Sequence, residues 1–317
     1  MKYKDEKEGR MDRYGCLSEK IANEIQQYEA TYFTYDEPVP FCGLQIYPIP
    51  MRNYNDFMLA NPCLTLNKNE TFEGLKQTHL DFLIGKLNDQ EEGQLWNLRL
   101  SKLFELIFHF KDGVRCTKCG STMTYAEFIA KNKEILEVEH EGEEQLAACQ
   151  DCGSTQFEAM IRYAANPETK KYELVVAGHK IDAAAFERLR QIVMYQNLPD
   201  YYDDSKIDPD LKKDYAERIR IKSQKSGKAT TEKKMVCVSA KTSYKMSELY
   251  DMPIRKFLML LTTVDDVIQY EATRVGMMTG MVSMKEPPEH WIYKKETDVL
   301  GDAYKSLDSF KSEMSQI

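Results

Sequence analysis

The chain has no long apolar run. Its best stretch, "FLMLLTTV" from Phe257, is far shorter than the ~18 residues a membrane-spanning helix needs, so no membrane role is expected. It lacks a basic excess. The 43 Lys and Arg face 51 Asp and Glu, for a net charge of −8 and a pI of about 5.4, where proteins that neutralise many phosphates carry a basic balance or patch. The first residues, "MKYKDEKEGRMDRYG", are polar and carry acids. That is unlike a secretory leader and implies synthesis in a reducing cytoplasm. Histidine is scarce. The five, at 79, 109, 140, 179 and 290, stand apart from any Ser or Cys with a third partner, so each is expected to be a core or surface residue. "GMMTGM" is glycine-rich but lacks the P-loop Lys-Ser/Thr and cannot cradle phosphate in that way.

What remains is a globular composition. With 317 residues, 42% hydrophobic and 30% charged, the chain can bury a substantial core in roughly two or three domains. Of its eight cysteines, Cys16, Cys42, Cys63 and Cys237 are scattered, which argues against a disulfide framework. The other four form one phrase written twice, "CTKCGST" from Cys116 and "CQDCGST" from Cys149.

Hydrophobic spacing divides the chain into five segments. Residues 1–39 read as a tether with a helix carried by Ile21, Ile25 and Tyr28. Residues 40–112 read as a helical core unit, opening on a short extended "FCGLQIYPI". Its strongest helix, "GQLWNLRLSKLFELIFHF", is expected to be largely buried, since Leu95, Leu98, Leu103, Phe104, Leu106, Ile107, Phe108 and Phe110 leave little polar circumference. Residues 113–180 hold the cysteines, and then a hairpin whose two β-rich runs flank "NPETKK". Residues 181–234 start a helix capped by Asp182 and run into a charged linker. Its stretch from Lys212 to Lys234 is basic with a single aromatic, Tyr215, and reads as solvated. Residues 235–317 form a C-terminal helical unit. Asp251 and Pro253 mark the start of its long helix, and Ile254, Phe257, Leu258, Leu261, Val264, Ile268 and Val275 carry the stripe. "GMMTGMV" loosens that helix, "KEPPEHW" stops it, and a polar tail follows from Asp298. The fold class expected is α+β, mainly helical, with a four-cysteine zinc-ribbon insertion and a small β-hairpin.

The doubled phrase is the sharpest signal. Each Cys-x-x-Cys closes a tight turn, and Gly120 or Gly153 just after it lets the backbone turn its amides toward the sulfurs. Cys116, Cys119, Cys149 and Cys152 then offer the thiolates a tetrahedral zinc takes, at about 2.3 Å each. A redox pair needs one such motif near a βαβ pattern, and an iron–sulfur cluster has less use for paired knuckle glycines. His140 and Glu141 lie in the 29-residue excursion between the knuckles, but four thiolates already saturate the ion. One structural Zn²⁺ per chain is therefore expected, stapling a unit poor in apolar residues. A nucleic-acid role would want a basic, aromatic ribbon. Around Arg115, Lys118 and Tyr125 stand Asp151 and the acidic "EILEVEHEGEE", which repel phosphates.

Three phrases, "GLQIYPIPMRNYNDF", "IDAAAFERLRQIVMYQNLPDYYDDSKIDPDLKKD" and "IRKFLMLLTTVDDVIQYEATRVGMMTGMVSMKEPPEHW", together resemble tail or baseplate-hub assembly proteins of contractile-tailed bacteriophages and related particles. The resemblance covers roughly residues 40–293, with the zinc ribbon standing outside it as an insertion. It implies a non-enzymatic structural or assembly role, in the virion or in host cytoplasm during assembly, with other tail or baseplate proteins (tape-measure or hub proteins among them) as partners. Phe257, Leu261, Met277, Met278, Met281 and Trp291 are the partner-binding candidates, because flexible Met side chains adapt to a partner. The alternative is a zinc-ribbon nucleic-acid-binding regulator. A redox enzyme using the paired thiols is a third.

Overall fold

A computed structural model describes residues 17–68, 74–137, 148–165, 171–203 and 229–281, with isolated positions at 217, 220, 221, 283, 284, 288 and 290–293. The expected linker and the tail from Asp298 lie largely or wholly outside the described residues. The chain divides into two units. One comprises residues 28–49 and 53–194, the other residues 1–27, 50–52 and 195–317. Helix α1, Glu19–Thr31, opens the described chain, with Ile25 buried on the expected stripe.

In the unit of residues 28–49 and 53–194, the extended "FCGLQIYPI" is a hairpin of β1 (Val39–Phe41) and β2 (Leu44–Ile46). Cys42 and Gly43 turn it with φ of 46° and 82°, the twist that suits a two-residue hairpin. Three helices follow: α2 (Tyr54–Ala60), α3 (His79–Leu87) and α4 (Gly93–Phe108). Thr78 and Asp81 form a capping box at the start of α3, satisfying amides that a helix start leaves open. Phe57, Leu80, Leu83, Ile84, Leu103, Phe104 and Ile107 make the core. α4 is more one-sided than its composition implies. Leu95 and Leu98 are 42% and 60% exposed, since only the stripe through Trp96, Leu100, Leu103, Phe104 and Ile107 meets α2 and α3.

Two small antiparallel sheets complete this unit. The first has the order β4–β3–β5, with β3 at Gly113–Cys116, β4 at Thr122–Thr124 and β5 at Phe157–Ala159. Helix α5, Tyr125–Glu137, fills the start of the excursion and packs Phe128 edge-on to Phe157 at 5.3 Å. Thr124 and Glu127 cap it reciprocally. The second sheet has the order β6–β7–β8, at Ile161–Ala165, Tyr172–Val176 and His179–Ile181. β6 and β7 are the two runs the sequence pairs across "NPETKK". β8 is an addition, reached through the Ala177–Gly178 turn. Asp182 then caps α6 (Ala183–Asn197), its Oδ1 accepting from the amide of Ala185 at 2.8 Å.

The unit of residues 1–27, 50–52 and 195–317 is built on α7 (Thr231–Lys241), α8 (Met246–Asp251) and α9 (Ile254–Met278). Met235, Val238, Leu249, Ile254 and Phe257 form its core. Pro253 stands at the N-cap of α9, one position before the first turn in which the sequence places it, while Asp251 ends α8 and pairs with Arg52. The Pro50–Arg52 strip is held by a bridge to Pro253 and by the Met51 amide on the Met252 carbonyl at 2.8 Å.

Candidate metal centre

The two copies of the cysteine phrase fold alike. In each, the first cysteine's amide bonds the carbonyl five residues on, Cys116 to Ser121 and Cys149 to Ser154, both at 2.8 Å. The glycine amide returns to the first cysteine's carbonyl, Gly120 to Cys116 at 2.9 Å and Gly153 to Cys149 at 2.8 Å. Both glycines have positive φ, 80° and 69°, which a residue with a Cβ adopts only with strain. The first knuckle joins β3 to β4 and the second leads into β5. Because β3 pairs with both strands, the sheet brings together two motifs that lie far apart in sequence.

All four sulfurs lie within 4.8 Å of one another. Cys116 Sγ is 3.6 Å from Cys152 Sγ, and Cys119 Sγ is 3.5 Å from Cys149 Sγ. A disulfide is about 2.05 Å, whereas four sulfurs at about 2.3 Å from a tetrahedral ion stand about 3.8 Å apart. The cluster fits an ion. Cys116 and Cys149 face inward, while Cys119 is at the surface.

Charge tells the same story. The amide of Cys119, and after it that of Lys118, bring the Cys116 thiol down to about 6 against the effect of burial. The amides of Asp151 and Cys152 lower Cys149. The Ser121 amide also favours a Cys119 thiolate, yet Cys119 is pushed up to about 12 by Cys152, by burial and by Cys149 and Cys116. The knuckle amides favour thiolates at Cys116 and Cys149, while the neighbouring sulfurs oppose one at Cys119, an opposition that a cation between them would relieve. Among the described residues of this part of the chain, the buried apolar side chains are Val114, Cys116, Cys149 and Met160.

Arg115 ties the knuckle to the next sheet. Its guanidinium pairs with Glu158 at 3.6 Å and lies so close to Gly178 that a Cβ there would clash with it. It is engaged inside the protein, not offered to a phosphate. His179, the next residue, fills the space over Gly43, where a Cβ would come within 2.6 Å of the ring.

The partner-binding candidates differ among themselves. Phe257 is 1% exposed, a core residue of its own unit, because the first turn of α9 packs inward. Leu261, Met277 and Trp291 are half-buried. Met278 and Met281 are 83% and 85% exposed.

The structure also contains a site that sequence reading passes over. His79 is 8% exposed and places Nδ1 2.6 Å from Glu187 Oε2. Arg190, 3% exposed, donates to Glu187 Oε1 at 2.7 Å and to the Leu64 carbonyl. Gln191 donates to the same carboxylate at 3.2 Å. Burial pushes the Glu187 carboxyl up, but the His79 hydrogen bond and the Arg190 charge outweigh it and hold the group at about 2. Beside this cluster lies a cavity of about 700 Å³, lined by His79 and Glu187 with Lys68, Lys171, Glu173 and Asp182. A carboxylate that fixes an imidazole suits proton transfer or ligand holding, although among the described residues no serine or cysteine lines the cavity. The one sequence signal was Glu187 and Arg190 three apart on a helix otherwise patterned for burial. Pairing them with His79, 108 residues upstream of Glu187, needed the fold.

No protein-family model, no curated protein and no solved structure matches this chain.

Proposed function

We propose that this chain is a non-enzymatic assembly protein that works by protein–protein contact, stapled by one zinc ion in a ribbon of four cysteines. Four thiolates fill a tetrahedral shell and leave no open position for a substrate, which suits a staple. The observation that carries the interaction role is α9. Past Phe257 none of its residues from 258 to 278 is buried, yet it keeps an apolar stripe, and such a face marks an interaction site. The resemblance to contractile-tail proteins supplies the finer reading, in which the partners are tail or baseplate proteins and the site of action is the virion or its assembly in host cytoplasm. Mass spectrometry of purified particles and of assembly intermediates tests it. The protein is expected in at least one of them; absence from both would overturn the reading.

A further inference from the structure

Two helices begin at the wall of the cavity beside His79. α6 starts there with Ala183 and Ala184, and α3 with Thr78 and His79. At α6, Asp182 Oδ1 accepts from the amide of Ala185, and the Asp182 carbonyl accepts from that of Phe186, both at 2.8 Å. Among the described residues the amides of Ala183 and Ala184 have no acceptor. They are the first two of a 15-residue helix, at the positive end of its dipole.

His79 adds an acceptor to these donors. Its Nδ1 is enclosed, with Glu187 Oε2 at 2.6 Å and Arg190 Nη1 at 2.9 Å. Glu187 is ionised, its carboxyl held at about 2, and Arg190 Nη1 donates to Oε1 at 2.7 Å. The proton between ring and carboxylate therefore sits on Nδ1, and the neutral ring keeps its lone pair on Nε2. Among the described residues nothing hydrogen-bonds Nε2, yet it is not sealed from solvent. The ring is only 8% exposed and lines the cavity, so Nε2 opens into it. A buried polar atom is ordinarily paired, and here the protein supplies no donor.

Lys68 stands on the same wall and donates to the Gln77 carbonyl at 3.0 Å, a neutral acceptor that leaves its charge uncancelled. Lys171 lines the cavity too. The acids there are already engaged: Glu187 by Arg190, Glu173 by Lys180 at 3.7 Å, and Asp182 as the cap of α6. Glu173 and Asp182 still oppose a second negative charge more than a first, which favours a carboxylate over a phosphate dianion. At about 700 Å³ the cavity has the size of a small-molecule site. It is far roomier than a carboxylate needs, and Tyr172 lines it as a surface for an apolar body.

We propose that this cavity binds a small organic hydroxy acid, with its carboxylate on the amides of Ala183 and Ala184 and on Lys68, and its hydroxyl donating to His79 Nε2. The site depends on neither the zinc nor α9, and it goes beyond the assembly role.

Titration of the full chain with phenyllactate at about pH 8 tests the proposal, followed by NMR of the His79 ring nitrogens and of the Ala183 and Ala184 amides. Saturable shifts are expected at all three residues. Phenylpropionate, which lacks the hydroxyl, and phenyllactamide, which lacks the charge, should each bind about tenfold or more weakly. Lys68→Met and Ala183→Pro should each weaken phenyllactate binding about tenfold. Proline at the first helical position removes the amide and keeps the helix. Lys102→Met, a lysine outside the cavity, should match wild type. No saturable shift with either phenyllactate or lactate overturns the proposal, as does wild-type affinity in both cavity variants. Phenylpropionate binding as tightly as phenyllactate, or inorganic phosphate binding more tightly than both hydroxy acids, overturns it too. None of these readouts depends on particle composition.

Discussion

The small sheet of residues 113–159 and the helix of residues 254–278 are opposites. Among its described residues the first has few buried apolar side chains, and a cluster of sulfurs that could hold an ion. The second has a long apolar stripe and, past its first turn, no buried residue. On the proposed reading one region uses a metal in place of a core, and the other holds apolar surface in excess of its own core. The difference suggests a division of labour. A structural ion can carry a folding free energy of about 10 kcal/mol or more, so the sheet can leave its surface to charge, while the helix spends its hydrophobic residues on what comes to cover it.

Removing the metal should break the first half of this contrast with the largest effect. Cys116→Ser or Cys152→Ser is expected to lose the ion and the β3–β4–β5 sheet, read as metal content per chain and as exchange of residues 113–124 and 157–159. Next comes the buried charge cluster, a core feature that depends on no metal. Arg190→Met leaves Glu187 without its cation, and stripping one partner from a buried pair costs about 3 kcal/mol, seen as a lower urea midpoint with metal still bound. Because the Glu187 carboxyl is held at about 2 rather than 4.5, its contribution is complete above about pH 4.5. It is lost as pH falls from there through about 2. Glu187→Gln should flatten that part of the stability–pH curve.

Gly178→Ala should cost about 2 kcal/mol, from positive φ and from displacing the Arg115 guanidinium. Its effect should be visible in the knuckle as well as in the β7–β8 turn. The smallest folding effect is expected on α9. Met278→Asp, at 83% exposure, should change stability by less than about 0.5 kcal/mol. A loss of several kcal/mol there, in melts of the isolated protein, would show that the far end of α9 is core and would remove the contrast.

The sequence made some elements legible and not others, for physical reasons. The knuckles were readable because metal ligation fixes both residue type and spacing, so Cys116, Cys119, Cys149 and Cys152 announce themselves before any fold is known. The stripe of α9 and the caps at Asp182 and Pro253 were readable because they are local. The Thr124–Glu127 cap was equally local and gives α5 its start. The circumference of α4 misled, since composition cannot say which of Leu95 and Leu103 faces a neighbour. The His79–Glu187–Arg190 cluster was not readable, because its members meet only when α3 and α6 do. The wedging of Arg115 against Gly178 depends in the same way on two sheets lying side by side.

Native mass spectrometry of the full chain, with and without a chelator, tests the metal half of the contrast most directly. One zinc per chain is expected, and its removal should collapse protection in residues 113–159 while leaving that of residues 254–278 unchanged. A chain that carries no metal when purified, or one that keeps its protection after the metal is stripped, would contradict the staple.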